Sequence, residues 1–242
     1  AAVTHVESAN VFTVGEEERV KSELPEKYRR SITNLEARAQ SDIRAFFKHN
    51  VFNLELPEQS ILREDLFTEK TWQLLGLNKK QIIVAAAILG AGAGVKLDLV
   101  LAHLSFGLFT LSGAALAAAA AWLKGENMAR VRVQSIKLGG VQVSVGPNQN
   151  PQFPFVLIDR LLLYYQSVIN WAHARRDQPA AIQSQRETKL GYTAKWGGDQ
   201  RKVCLNFIKT LSKNNFQKQD DAERACQEML KSVLTDMANE TS

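Results

Sequence analysis

The chain has 242 residues, 45% of them hydrophobic and 23% charged, a balance ordinary for a globular protein and far from the composition of disordered or collagen-like sequences. Its two cysteines, Cys204 and Cys226, have no paired CxxC spacing, which excludes a disulfide framework or a thiolate zinc site and makes reduced thiols the expectation. The net charge of +5 is uneven: residues 1–123 carry 13 Lys and Arg against 14 Asp and Glu, whereas residues 124–242 carry 17 against 11, so an anionic partner would meet the second half.

In chain order, the opening AAVTHVESANVFTVGEEERV has neither an initiator Met nor the basic-then-apolar layout of a leader, an opening expected of a fragment or a processed chain. Residues 10–14 are β-prone. The acidic GEEER then begins a helical region that Pro25 interrupts or restarts, so the spacing predicts a helix over residues 25–48. Ile32, Leu35, Ala39, Ile43, Phe46 and Phe47 form its apolar stripe, leaving Arg29, Arg30, Glu36 and Arg44 for the wet side. Residues 51–60 read as a connector, and residues 65–77 as a short helix carrying Leu66, Phe67, Trp72 and Leu75.

Residues 81–123 are nearly charge-free, and their apolar content is mostly Ala and Gly. Small residues on two helical arms let backbones approach closely, so Gly90, Gly92, Gly94 and Gly113 mark a tightly packed helical hairpin, with Lys96 and Asp98 between the arms. The run from Leu99 to Leu123 lacks formal charge and exceeds the ~20 residues needed to span a bilayer. Both a buried core pair and a membrane hairpin fit that pattern. LGAGAGVK at residues 89–96 lacks the spacing of a phosphate loop and has no preceding strand. Asp98, His103 and Ser105 are explained by a polar turn, and neither His49 nor His173 has metal-ligand partners at helical spacing.

From Arg130 to Pro147 the period changes to alternation, the signature of paired strands, and Gly139-Gly140 suits a two-residue type I′ turn. That turn would place Leu138 opposite Val141 and Ile136 opposite Val143, with a bulge near Ser135 to bring Val131 and Val133 into phase. A long helix over residues 155–176 follows, with the stripe Ile158, Leu161, Leu162, Tyr165, Val168, Ile169 and Ala172 and the basic tail HARRD. Residues 177–198 are polar and irregular. Helices over residues 199–213 and 220–237 close the chain as an antiparallel pair. The fold class is therefore mainly α, with an Ala/Gly-rich helical hairpin and one small antiparallel β-hairpin. Two parts are expected: an accessory domain over residues 1–177 and a linker with a helical pair over residues 178–242.

The runs DLFTEKTWQLLGL and VGPNQNPQFPFVLIDRLLLYYQSVINWAHARRD, with the Ala/Gly segment between them, resemble an uncharacterised bacterial domain that lies C-terminal to a small Era-like GTPase domain. The resemblance covers residues 28–177. It implies a GTPase domain, upstream or separate, as partner, and offers no catalytic residues and no cofactor for this region. The chain itself has no phosphate loop and is read as a non-enzyme. Arg160, His173, Arg175, Arg176 and the Gly-Gly turn are the candidate contacts to that partner. The alternatives are a membrane-inserting helical hairpin that binds lipids at the inner membrane, and an RNA- or anion-binding module using the basic C-terminal half. A cytoplasmic protein, peripheral or integral at the inner membrane, and a homo-oligomer complete the expectations.

Overall fold

The structure, a computed structural model, describes residues 4–9, 14–47, 56, 60–90, 131–135, 141–146, 148, 150–173, 190–211 and 216–240. Among these the chain is mainly α: helices α1 (Val14–Phe46), α2 (Glu69–Leu74), α3 (Lys79–Gly90), α4 (Phe153–His173), α5 (Gly198–Leu211) and α6 (Phe216–Glu240) accompany strands β1 (His5–Ala9), β2 (Val131–Ser135) and β3 (Val141–Val145). The strands form one antiparallel sheet in the order β1-β3-β2.

α1 runs without a break through Pro25, so the expected restart there is replaced by a 33-residue helix. Proline removes one backbone donor, and the packing on either side holds the helix together. Val20, Leu24, Tyr28 and Ile32 are buried at four-residue intervals, an unbroken stripe that spans the proline. The stripe continues to Glu36, expected on the wet side and found buried, while Leu35 and Phe46 of the expected apolar face are exposed. A four-residue repeat drifts round a helix of 3.6 residues per turn, and the buried face drifts with it.

The strands also differ from expectation. Of the expected β-prone run 10–14 only Val14 is among the described residues, and it begins α1; β1 lies at residues 5–9 and adds a third strand to β2 and β3. Its alternation places His5 and Glu7 toward α1, where His5 Nε2 meets Ser31 Oγ at 2.9 Å and Glu7 pairs with Lys27 at 2.5 Å, leaving Val6 exposed. In β2 and β3 the partners are Val131 with Val145, Val133 with Val143 and Ser135 with Val141. The register is continuous, without the expected bulge. Val141 therefore faces Ser135 and Val143 faces Val133, in place of the expected Leu138 and Ile136, and Val131 and Val133 are in phase without a bulge; the expected Gly139-Gly140 turn lies outside the described residues.

α4 is the axis of the molecule. One side, with Phe153, Val156, Tyr164 and Val168, joins Tyr28, Ile32, Leu66, Phe67, Trp72, Leu75, Val143 and Val145 in a first apolar cluster. The other side, with Phe155 and Leu162, joins Leu77, Ala85, Trp196, Cys204, Leu205, Cys226, Val233 and Met237 in a second. The aromatic centre of the first cluster is a stack in which Phe153 lies between Phe67 and Trp72, with ring centroids 6.3 and 6.0 Å away. α5 and α6 pair as expected and pack onto α3 and α4 through the second cluster. Gly90 is the last residue of α3, and Gly92, Gly94 and Gly113 lie outside the described residues, as does most of the expected Ala/Gly hairpin.

Candidate functional site

The polar residues with the most elaborate surroundings sit side by side in α4, at Asp159 and Arg160, and both are buried. Consecutive residues on a helix point about 100° apart, so the two side chains serve different sides of the molecule.

Arg160 reaches toward α1. Its Nε donates to Glu36 Oε1 at 2.5 Å, and its terminal nitrogens donate to the backbone carbonyls of Ile61, Leu62 and Glu64 at 3.3, 3.1 and 2.9 Å. The planar fork of a guanidinium suits this task, since several donors are aimed at fixed acceptors at once. Those carbonyls belong to the turn that leads into α2. A buried charge is tolerated when paired and fully hydrogen-bonded, and Arg160 thereby fixes an irregular stretch of backbone against two helices. Ser60 Oγ, which accepts from Leu62 N–H at 3.3 Å, and Asp65, whose Oδ1 accepts from Phe67 N–H at 2.8 Å, shape the same turn.

Asp159 faces the other way. Its carboxylate accepts from Gly76 N–H at 2.6 Å, from Thr193 N–H at 2.7 Å and from the Thr193 hydroxyl at 2.8 Å. Gly76 has φ of +73°, a left-handed conformation that favours glycine, and a Cβ there would press on Val156 Cγ2 at 2.9 Å. Gly191 is required for space: a Cβ would overlap the Asp159 carboxylate itself. Around this point the chain returns as a strap over residues 190–196. Leu190 N–H donates to Leu74 O at 2.8 Å, and Gln81 Nε2 donates to Ala194 O at 2.9 Å. Gln81 also forms a reciprocal cap with Asn78, each side chain accepting from the other's backbone N–H at 3.0 and 2.9 Å, which starts α3. Gln152 completes the arrangement by donating to the carbonyls of Trp72 and Leu75 at 2.8 and 3.1 Å.

A third polar feature joins α5 to α6, where the thiols of Cys204 and Cys226 are buried in the same apolar cluster. Interaction with the Cys226 thiol, with burial, pushes the Cys204 thiol well above its ordinary range and keeps it protonated.

Among the described residues no group of three or more His, Cys, Asp or Glu side chains is gathered where a metal could be held. The polar groups of α4 instead converge on backbone amides and carbonyls, an arrangement that positions elements. Of the residues expected to contact a partner, Arg160 is turned inward and committed to Glu36 and three carbonyls. His173 is the last residue of α4, and Arg175 and Arg176 lie outside the described residues.

The chain matches a family model described as Domain of unknown function (DUF3482) over residues 1–235. It belongs to the DUF3482 family. The match extends beyond residues 28–177, where the likeness was read from sequence, and takes in β1, the start of α1 and nearly all of α6 of this DUF3482 domain. No curated protein and no solved structure matches the chain.

Asp159, Glu36, Gly191 and Thr193 were missed as site residues. The available signals were the charged pair Asp159-Arg160 inside an otherwise apolar helix and the position of Glu36 four residues after Ile32. Gly191 and Thr193 had no local signal, because their role comes from a carboxylate more than thirty positions away.

Proposed function

We propose that this DUF3482 domain is a non-catalytic accessory module of a bacterial GTP-binding protein, acting through protein interaction in the cytoplasm. The observation that carries this reading is the use made of the buried polar groups. Asp159, Arg160, Glu36, Gln152 and Thr193 bond to backbone or to one another and hold α1, the α2 turn and the strap around α4. Groups engaged in this way are placed to stiffen a scaffold, and a stiff scaffold presents surfaces at little entropic cost. The likeness of the FPF, DR and HARRD runs to a domain that follows a small Era-like GTPase supplies the proposed partner.

The test has two parts. The isolated chain titrated with a fluorescent guanine nucleotide should show no binding, and micromolar affinity would overturn the non-catalytic reading. Added to its GTP-binding domain, the chain should form a complex detectable by calorimetry and change the rate of GTP hydrolysis. Absence of both effects would overturn the accessory role.

Membrane association is a second reading, and the charge-free run at residues 99–123 is the observation that favours it. Among the described residues no helix is long and apolar enough to cross a membrane. Flotation with anionic vesicles, using the chain with and without residues 91–123, separates the two: loss of flotation on deletion supports insertion, and no flotation of either form removes it.

A further inference from the structure

Four exposed residues of α1 form a stripe that the other described residues leave uncovered. Leu35, Arg38, Asp42 and Phe46 lie within about 80° of arc along about 17 Å of helix. Leu35 is 49% exposed and Phe46 81%, the latter an unusual cost for a large aromatic ring. This part of α1 is nonetheless well held. Ile32 and Glu36 are buried beside it, and Phe46 lies edge-on to Phe47 at 5.4 Å, which in turn packs on Tyr165 at 5.6 Å. The stripe is thus a rigid, preformed surface, where ordering on association costs little.

We propose that this stripe is a self-association surface that pairs α1 with α1 of a second copy in antiparallel fashion. The argument is its self-complementarity. A two-fold axis crossing between residues 40 and 41 sets Leu35 of each copy opposite Phe46 of the other. The same axis brings Arg38 to within one residue, about 1.5 Å of rise, of register with Asp42 of the other. Apolar residues thus meet at both ends and opposite charges meet in the middle. A stripe with one cation and one anion has no net charge to draw it toward an anionic membrane or a nucleic acid, and a second copy satisfies both charges at once. The contact is small, so the dimer belongs to the weak class, with charges that fix register more than affinity. This inference does not depend on the presence of a GTP-binding partner.

Sedimentation equilibrium of the full chain from about 1 μM to about 1 mM should show a reversible monomer–dimer equilibrium. Phe46→Glu should weaken it about tenfold or more. Val84→Glu, at an exposed apolar position on α3, should leave it unchanged. Arg38→Asp and Asp42→Arg should each weaken self-association about threefold to tenfold, since each leaves two like charges facing. Mixing those two single variants restores opposite charges across the contact and should recover affinity to within about twofold of the wild type. All four positions are exposed, so circular dichroism should be unchanged throughout. A chain that stays monomeric at about 1 mM, a dimer indifferent to Phe46→Glu, or a mixture that binds no better than its components would each overturn the proposal. Vesicle binding by a monomeric wild type that Phe46→Glu abolishes would also overturn it, and would assign the stripe to lipid.

Discussion

Removing either half of the Glu36–Arg160 pair leaves the other charge buried and uncompensated, which for such pairs costs about 3–5 kcal/mol. Glu36→Ala and Arg160→Ala should each lower unfolding free energy by that amount in urea titrations. The double variant should cost less than the sum by about 2 kcal/mol or more, because the second change removes a charge already stranded. A fully additive result would mean that the two side chains are not energetically coupled. Tyr28 gives the residue-scale pH dependence. Burial pushes its hydroxyl up to about 12, only partly offset by the nearby backbone of Asn148. A folded-state value above the unfolded one of 10.0 means that the unfolded chain releases its proton first, so the associated stability is complete below pH 10 and is lost as pH rises toward 12. The denaturation midpoint should therefore decline from about pH 10 to about pH 12, and Tyr28→Phe should flatten that decline by an amount on the order of 2 kcal/mol. Equal slopes for the two proteins would assign the alkaline loss to other groups.

At the scale of elements, the strap over residues 190–196 depends on a glycine for clearance, so Gly191→Ala should displace Thr193 from Asp159. A loss of about 2–4 kcal/mol is expected, with hydrogen exchange accelerated at the Thr193 and Gly76 amides. Unchanged protection at both amides would show that the strap accommodates a methyl group. The helices of this fold were legible because apolar residues recur at helical spacing, as in α4, α5 and α6. β1 was not legible where it lies, because its two positions facing α1 are His5 and Glu7 and its one large apolar side chain, Val6, faces outward. The continuity of α1 was hidden for a related reason: a proline is a local signal, and the stripe from Val20 to Ile32 that overrides it is a tertiary one. The Asp159 site was illegible beyond its charged pair, since its donors come from Gly76 and Thr193, on opposite sides of it in sequence.

The whole molecule hangs on α4, which supplies Phe153 and Val156 to one apolar cluster and Phe155 and Leu162 to the other. Clusters that share a helix should unfold together, so calorimetry should show one transition despite the expected division near residue 177. Two separated transitions would mean that the closing helices are an independent unit. A chain cut after residue 189 would lack the strap, α5 and α6, leaving Leu77, Phe155 and Leu162 exposed, and should aggregate or bind a hydrophobic dye. The separation of Glu36 from Arg160 also matters while the protein is being made. The two are 124 positions apart, so at about 5–20 residues per second the ribosome adds Glu36 roughly 6–25 s before its counter-ion. For that interval the nascent helix lacks the part of its apolar packing that β3 and α4 supply, and it carries a carboxylate that water must solvate. An early-folding α1 would therefore be a docking target for chaperones until α4 leaves the exit tunnel, and mutations that slow translation between the two should lower yield without altering the mature protein.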